Sequence, residues 1–370
     1  MLDDERYMAQ ALELAKRGAG KVSPNPMVGS VLVKDGQVIS EGWHQKYGDL
    51  HAERNCILNC RQDMSGAVLY VTLEPCCHYG KTPPCTDIII ESGIKKVVVG
   101  AMDPNPLVSG KGVEILEVHG IQVVTGVLEK ECLELNRAFF HYITTGRPFV
   151  TLKYAMTMDG KIATASGKSR WITGEKAREN VHQDRNFFSG IMTGIGTVLK
   201  DDPLLTCRIP GGRNPVRIIC DSNLRLPLES SVVKSAHEGR VIIATCCRDA
   251  SCYKPYEKAG CQVIFVKPDE GGHVHLPSLM DILGKEKIDG ILLECGGTLA
   301  WAALQSGIVS QVQTYIAPKI FGGDTALGAV GGQGVDAPDQ AFFLNPVKYQ
   351  WFGEDLLIES EVKNYVYRNC

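Results

Sequence analysis

Three side chains of types that can bind a metal, His51, Cys76 and Cys85, constrain the fold of this chain more than any other feature of its sequence. An imidazole and two thiolates suit zinc, and a hydrolytic zinc site takes three protein ligands and keeps a fourth position for water. Glu53, two residues after the histidine, is a carboxylate that can carry protons beside that water. The sequence therefore predicts a fold in which positions 51, 76 and 85 meet at one point.

Three other interpretations of these residues are open. A lone His-x-Glu occurs by chance, paired cysteines are often buried apolar filler, and a closed structural zinc site could take a fourth ligand from Cys77 or His78. The order of the parts favours a catalytic site. A predicted short helix (52–60) starts directly after the histidine, and a buried strand (67–73) comes next. Cys76 then lies in a turn where a helix N-terminus would stabilise a thiolate.

Composition and charge narrow the class of protein. The 370 residues suffice for two domains, and 44% hydrophobic with 22% charged residues is ordinary for a globular protein. A formal net charge of −3 gives no field that favours nucleic acid or a membrane surface, and no apolar run approaches the roughly 18 residues of a membrane span. The acidic start, 1–5, lacks the features of a signal peptide. We expect a cytoplasmic protein whose 14 cysteines are mostly thiols.

Helices and strands alternate in the first part of the chain. Asp35-Gly36 is typical of a hairpin turn, and strands separated by helices favour a parallel sheet. We therefore predict a mainly parallel α/β sheet with an antiparallel hairpin at one edge. The predicted helices span 4–17, 52–60, 87–92 and 129–142, and the predicted strands span 27–33, 38–43, 67–73, 96–100 and 121–125.

The segment 144–148 marks the predicted domain boundary, so we assign residues 1–146 to one domain and residues 147–370 to a second α/β domain. The tail at 349–367 alternates enough to add antiparallel strands. The other strands predicted for the second domain span 149–156, 189–193, 216–220, 240–245, 262–266 and 290–294, and its helices span 174–185 and 298–306.

Several features of the second domain indicate a nucleotide-type ligand. Gly296-Gly297 lies between a predicted strand and a predicted helix, where glycines let the backbone approach a phosphate and the helix N-terminus supplies N–H groups. A plain tight turn would account for the same glycines, and the Gly-x-Gly-x-x-Gly fingerprint is absent. Arg185 and Arg208 are candidate phosphate ligands because a guanidinium binds phosphate in bidentate fashion. Surface ion pairs or helix caps are the alternative for both.

Taken together, these motifs closely resemble the bifunctional deaminase–reductase family of riboflavin biosynthesis, over almost the whole chain. The long segment between the two cysteines, ending in Thr82-Pro83-Pro84-Cys85, separates this family from cytidine and transfer-RNA deaminases, which use Cys-x-x-Cys. The motifs that carry the resemblance are Pro24-Asn25-Pro26-Met27-Val28-Gly29, His51-Ala52-Glu53, Thr72-Leu73-Glu74-Pro75-Cys76, Gly80-Lys81-Thr82-Pro83-Pro84-Cys85-Thr86, Met158-Asp159-Gly160-Lys161, Trp171-Ile172-Thr173, Asp201-Asp202-Pro203-Leu204-Leu205-Thr206 and Glu294-Cys295-Gly296-Gly297.

For residues 1–146, the resemblance implies a cytidine-deaminase-like, three-layer fold. The implied activity is zinc-dependent hydrolytic deamination of 2,5-diamino-6-ribosylamino-4(3H)-pyrimidinone 5′-phosphate. His51, Cys76 and Cys85 would hold Zn²⁺, and Glu53 would be the catalytic proton carrier. The positions that match the family's substrate-binding residues are Asn25, His44 and Lys81. An exposed histidine at a strand end is the alternative interpretation of His44.

For residues 147–370, the resemblance implies a dihydrofolate-reductase-like domain that reduces the ribosyl group to ribityl with NADPH, whose chemistry comes from the cofactor. The product would be 5-amino-6-(5-phospho-ribitylamino)uracil. The positions implied to face NADPH are Ala155, Trp171, Thr197, Asp201, Ser222, Gly296 and Gly297. The positions implied to face the reductase substrate are Lys153, Ser169, Arg185, Leu205, Arg208 and Glu294.

Two other functions compete with this one. A nucleic-acid deaminase would need a basic, aromatic-lined groove, and the charge balance and the second set of motifs argue against it. A non-catalytic zinc module would not need Glu53. Arg54, where an apolar residue is more usual, could face solvent or perturb Glu53. The sequence leaves open whether the chain forms a homo-oligomer, whether product is channelled between sites and which group donates the reductase proton.

Overall fold

The computed structural model describes residues 2–80, 82–105 and 107–363. The chain divides into two compact units, residues 1–146 and 147–370. Among the described residues, the sheet of the first unit has five strands and that of the second has nine. No helix in the described part of the chain is long and apolar enough to cross a membrane.

The N-terminal unit is an α/β structure around its five-stranded sheet. Its strands are β1 (Gly29–Lys34), β2 (Gln37–Trp43), β3 (Val68–Leu73), β4 (Lys96–Ala101) and β5 (Gln122–Thr125). Its helices are α1 (Leu2–Lys16), α2 (Ala52–Asn59), α3 (Cys85–Glu91), α4 (Lys111–Val118), α5 (Glu129–Leu135) and α6 (Arg137–Thr145). The strand order is β2-β1-β3-β4-β5. The β1–β2 hairpin is antiparallel and lies at one edge, as predicted, and β3, β4 and β5 run parallel.

Helices cover both faces of this sheet, which gives the unit three layers. Val31 and Leu32 are neighbours in β1, so their side chains point to opposite faces. Val31 belongs to a buried cluster with Met8 of α1. Leu32 belongs to a second cluster with Ile57 of α2 and Leu116 of α4. The second cluster lies on the face that carries α2 and α3, the two helices next to the predicted metal ligands.

The C-terminal unit is a larger α/β structure. Its strands are β6 (Phe149–Thr157), β7 (Gly190–Gly194), β8 (Val216–Cys220), β9 (Val241–Thr245), β10 (Gln262–Phe265), β11 (Gly290–Glu294), β12 (Val309–Ala317), β13 (Leu344–Phe352) and β14 (Asp355–Val362). Its helices are α7 (Glu175–Phe187), α8 (Ile195–Asp201), α9 (Ser231–Lys234), α10 (Lys254–Lys258), α11 (Leu276–Lys285) and α12 (Gly297–Gln305). The strand order is β10-β9-β8-β7-β11-β6-β12-β14-β13.

Parallel pairing from β10 to β12 brings the carboxyl ends of these strands to one edge of the sheet. In open α/β sheets this edge is where ligands bind. The register pairs Glu294 of β11 with Lys153 of β6, so the two charged residues are neighbours there. The antiparallel strands β14 and β13 complete the other side of the sheet, in agreement with the expectation for the C-terminal tail.

The structure corrects the predicted elements at several places. The helix predicted at 129–142 is wrong as a single element, because the chain breaks into α5 and α6 at Asn136, whose φ is −112°. β12 was not predicted, since its buried Gln311 and Gln313 interrupt the apolar pattern of the strand. α4 was also missed, because its start is stabilised by a side chain from a distant segment. These differences matter for the sites described next.

Candidate active sites

The three predicted metal ligands meet in the N-terminal unit. His51 directly precedes α2, Cys76 lies in the turn after β3, and Cys85 is the first residue of α3. His51 Nδ1 is 3.4 Å from Cys76 Sγ and 3.5 Å from Cys85 Sγ, and the three ligand atoms lie within 4.8 Å of one another. A tetrahedral zinc ion would separate a nitrogen and a sulfur ligand by about 3.6 Å. The donor atoms therefore fit zinc in both chemistry and spacing.

The alternative of a closed structural site finds no support in the described residues. The Cys77 thiol donates to the carbonyl oxygen of Leu107 at 3.7 Å, and His78 does not share the cluster formed by the three ligands. The side chain of Arg54 donates from Nη1 to the carbonyl oxygen of Pro84 at 3.0 Å. Arg54 thus holds the residue that precedes the ligand Cys85.

Glu53 is buried beside the three ligands without being one of them. Its side chain lies in α2, two residues after His51, and only 3% of its surface is exposed. Burial, helped by the negative charge of Cys76, raises the pKa of Glu53 to about 7. The pKa of the Cys76 thiol is lowered to about 4, first because the Cys85 thiol donates a hydrogen bond to it and also because His51 does. The Cys76 thiol is therefore readily ionised, as a thiol that binds a metal must be, and it lies beside a buried carboxyl group.

A cavity of about 300 Å³ opens in front of these residues. Asn25 and His44, two of the positions predicted to bind the substrate, both line it, and Asn25 Nδ2 is 3.2 Å from His44 Nε2. The other ring nitrogen of His44 is 3.0 Å from the carbonyl oxygen of Leu50, which makes Nδ1 the donor and Nε2 the acceptor. Burial lowers the pKa of His44, which favours the neutral ring. Lys81, the third predicted substrate residue, lies outside the described residues.

The sequence analysis missed several residues of this cavity. Asp103 and Asn105 follow β4 and line the same cavity as Asn25 and His44. Burial raises the pKa of Asp103 to about 6. The only sequence signal was an Asp-Pro-Asn-Pro turn after a buried strand. Helix α6 contributes a second group of lining residues, Phe139, Tyr142 and Ile143.

Glu74 organises the loop that carries Asp103 and Asn105. Its buried carboxylate accepts hydrogen bonds from the backbone N–H groups of Asp103, Gly110, Gly112 and Val113 at 3.0–3.3 Å. Two of these N–H groups lie in the first turn of α4, where a negative charge is favourable. Glu74 therefore fixes the loop after β4 against the segment that leads to Cys76.

The C-terminal unit has a cleft at the carboxyl edge of its sheet, formed by two adjoining cavities of about 530 and 720 Å³. Its centre is a cluster of three charged residues. Glu294 receives two hydrogen bonds from Arg185, at 2.7 and 3.0 Å, and its Oε2 is 3.7 Å from Lys153 Nζ. Burial alone would raise the pKa of Glu294, but Arg185 and Lys153 outweigh it and lower the pKa to about 2. Glu294 is therefore ionised throughout the neutral range.

The residues predicted to face the reductase substrate all line this cleft. Lys153, Ser169 and Glu294 are shared by both cavities, and Arg185, Leu205 and Arg208 belong to the larger one. Arg208 is exposed. The guanidinium of Arg185 is engaged by Glu294 and by the carbonyl oxygen of Thr206, so its hydrogen-bond donors point into the cluster. Arg208 is left as the better placed of the two candidate phosphate ligands.

Six of the seven positions predicted to face the cofactor also line the cleft. They are Ala155, Trp171, Thr197, Asp201, Gly296 and Gly297. A Cβ atom on Gly297 would lie 2.7 Å from the backbone nitrogen of Gly331, so only glycine lets the start of α12 approach that segment. Ser222, the seventh position, lines neither cavity. It follows the carboxyl end of β8, where its Oγ accepts a hydrogen bond from the N–H of Val274.

Comparison with protein families agrees with this division of the chain. Residues 1–101 match the cytidine and deoxycytidylate deaminase zinc-binding region, and residues 148–358 match the RibD C-terminal domain. The fold and the matched families thus define a zinc deaminase of cytidine-deaminase-like fold, joined to a dihydrofolate-reductase-like reductase domain.

Similar proteins extend over nearly the whole chain. A riboflavin biosynthesis protein RibD from Actinobacillus pleuropneumoniae is 50% identical over 97% of this chain and 95% of its own length. The crystal structure of a diaminohydroxyphosphoribosylaminopyrimidine deaminase/5-amino-6-(5-phosphoribosylamino)uracil reductase from Thermotoga maritima has 43% identity and a TM-score of 0.87, covering 98% of this chain and 99% of that one. An Acinetobacter baumannii RibD structure has 36% identity and a TM-score of 0.88, with coverage of 98% and 99%. The chain belongs to the RibD family of bifunctional deaminase/reductase enzymes of riboflavin biosynthesis.

Proposed function

We propose that residues 1–146 deaminate 2,5-diamino-6-ribosylamino-4(3H)-pyrimidinone 5′-phosphate and that residues 147–370 then reduce the ribosyl group of the product with NADPH. The final product is 5-amino-6-(5-phospho-ribitylamino)uracil. The substrate names of the Thermotoga maritima relative support this assignment. The observation that carries the deaminase half is the meeting of His51, Cys76 and Cys85 beside the buried, non-ligating Glu53.

In the deaminase site, His51, Cys76 and Cys85 hold the zinc ion. Zinc, when bound, lowers the pKa of water at its open position. Glu53 takes one proton from the attacking water and passes it to the ring nitrogen, and then moves the second proton of that water, now on the new hydroxyl group, to the amino group that leaves as ammonia. This role suits a buried carboxyl group that is not a metal ligand. Asn25, His44 and Lys81 hold the pyrimidine, and His44 is oriented by the hydrogen bond from its Nδ1 to the carbonyl oxygen of Leu50.

In the reductase site, NADPH supplies the two electrons of the reduction when bound. Ala155, Trp171, Thr197, Asp201, Ser222 and Gly296-Gly297 are the proposed cofactor contacts. Glu294 stays ionised and keeps the neighbouring Lys153 ammonium oriented toward the cleft. Lys153, with Ser169 and Leu205, then faces the ribosyl group, while Arg208 receives the phosphate. The cytoplasmic location that we propose is supported by the free thiols of all described cysteines.

Substitution of Arg208 tests the assignment of the two halves. An Arg208→Ala variant should have a reductase KM raised about tenfold or more, because one charge-assisted phosphate contact is lost. Its deamination rate should equal that of the unchanged enzyme. Steady-state kinetics of both reactions on one preparation gives the answer, and a collapse of deamination would contradict the division of labour.

A further inference from the structure

Asn136 lies at the break between α5 and α6, and only 3% of its surface is exposed. It occupies the N-cap position of α6, where an asparagine side chain usually accepts a hydrogen bond from an N–H group of the first turn. Here the side chain makes no such capping bond. A buried primary amide that does not stabilise its own helix must have its partners elsewhere.

Those partners belong to a segment 109 residues earlier in the chain. The N–H of Met27 donates to Asn136 Oδ1 at 2.8 Å, and Asn136 Nδ2 donates to the carbonyl oxygen of Met27 at 2.8 Å. One side-chain amide thus satisfies both polar groups of one buried residue. Met27 lies just before β1, outside the residues of that strand that pair with β2 and β3. Without Asn136, these two buried groups would lose their partners.

The segment held in this way carries a substrate-binding residue. Asn25, two residues before Met27, lines the deaminase cavity and contacts His44. On one side the N–H of Asn25 donates to the carbonyl oxygen of Val22, and on the other side the carbonyl oxygen of Val28 accepts from the N–H of His44, both at 2.9 Å. Between these two anchors, the side chain of Asn136 is the contact that fixes the backbone at Met27.

We propose that Asn136 is a positioning residue of the deaminase, which acts through Met27 to place Asn25 in the pyrimidine cavity. The break in the helix at Asn136 serves the same purpose, because it turns the chain so that Phe139, Tyr142 and Ile143 of α6 line that cavity. The segment that follows the zinc-binding region (1–101) is therefore part of the substrate site. This inference rests on the proposed deaminase function.

A double-mutant cycle with Asn25 tests the coupling. In the full-length zinc-loaded enzyme, Asn136→Leu keeps the side-chain size and removes both hydrogen bonds. We expect it to raise the deaminase KM about tenfold, with a smaller effect on kcat, because Asn25 is misplaced while Glu53 and the metal ligands are not. In an Asn25→Ala background the same change should add less than about twofold, since the residue through which Asn136 acts is already gone.

A second variant and a matched control protect the test against a simple loss of folding. Asn136→Asp keeps an acceptor for the N–H of Met27 but loses the donor to the carbonyl oxygen of Met27, so it should also raise the deaminase KM. Ser40→Ala removes another side-chain hydrogen bond within the same unit, from Ser40 Oγ to the carbonyl oxygen of Cys56, and should leave the deaminase KM unchanged. Zinc content and reductase activity should be normal in all variants.

The outcomes separate this inference from the proposed function. If the unchanged enzyme does not deaminate the substrate, the proposed function is wrong. If it does, and Asn136→Leu has a normal KM, or its effect adds in full to that of Asn25→Ala, then Asn136 does not position Asn25. Loss of zinc together with deamination in both Asn136 variants would likewise overturn the inference, because Asn136 would then support the metal site rather than the substrate loop.

Discussion

At the scale of single residues, Glu53 combines burial with a position just outside the metal-binding trio. We expect Glu53→Gln to lower the deamination rate by about a hundredfold or more, because glutamine keeps the shape of the side chain and cannot carry protons. Zinc content should not change, since Glu53 is not one of the three converging ligands. Measuring the zinc content and the deamination rate on the same sample tests both parts of this prediction. A variant that keeps zinc and full activity would contradict the role given to Glu53.

Asp184 of α7 is a second buried carboxyl group, and its Oδ2 has no hydrogen-bond partner. Burial raises the pKa of Asp184 to about 7, and the negative charges of Glu359 and Glu294 act in the same direction. The charge of Lys153 and a hydrogen bond from Gln313 act against this rise without cancelling it. The unfolded value is about 3.9. The folded state therefore binds the proton more tightly, and this group removes stability as pH rises from about 4 to about 7.

The Asp184→Asn variant should consequently be more stable than the unchanged protein at pH 8, by up to about 4 kcal/mol. At pH 4 the difference should be small, because the carboxyl is then protonated in the folded chain and about half protonated in the unfolded chain. Thermal unfolding of the full-length variant and of the unchanged protein at pH 4 and pH 8 measures this difference in stability. Asp324→Asn, at an exposed carboxylate, is the control and should show no such pH-dependent gain. A gain of equal size at both pH values would rule out the titration of Asp184 as its cause.

The site residues differ in how readily the sequence reveals them. His51, Cys76 and Cys85 could be identified because an imidazole and two thiols at this spacing, with a carboxylate two residues after the histidine, are typical of zinc deaminases. Glu74 and Asn136 could not, because each acts on backbone groups that folding brings to it from 29 or more residues away. A side chain whose partners are distant peptide groups leaves no local pattern in the sequence.

At the scale of secondary-structure elements, the first turn of α4 approaches the metal site at Gly112. A Cβ atom there would lie 2.2 Å from the carbonyl oxygen of Pro75, the residue before Cys76. We expect Gly112→Ala to destabilise the N-terminal unit by about 1–3 kcal/mol, since backbone must move to make room, and to weaken zinc binding. Gly196→Ala in α8 meets open space and should not destabilise the protein. Chemical denaturation and zinc titration of both variants test this, and an unaffected Gly112→Ala protein would contradict the packing described.

The elements themselves were largely predictable where their apolar residues follow a regular period. The strands at 216–220 and 290–294 are observed at the predicted bounds. α4 could not be predicted in this way, because its start depends on the carboxylate of Glu74. β12 could not either, because it buries Gln311, which forms hydrogen bonds with Thr151 and Glu359 in the neighbouring strands. Polar residues that are satisfied only across the sheet hide a strand from a pattern of hydrophobicity.

At the scale of the whole molecule, each unit has a site built from its own residues, so the two activities should be separable. Glu294→Gln removes the charge that Lys153 and Arg185 share. We expect it to lower reductase turnover about tenfold or more and to leave deamination unchanged, whereas Glu53→Gln should do the reverse. Separate assays of deamination and of reduction on both variants show whether the two activities are independent. A loss of both activities in either variant would show that the sites are not independent.

The central claim is that one chain carries out two successive reactions on one pyrimidine. Mass spectrometry of the proposed substrate after incubation with the zinc-loaded protein, with and without NADPH, tests it most directly. Without NADPH, the substrate should exchange one amino group for one oxygen and change no further. With NADPH, the product should also gain two hydrogens. A substrate that stays unchanged with folded, zinc-loaded protein, or one that gains hydrogens without NADPH, would contradict the account.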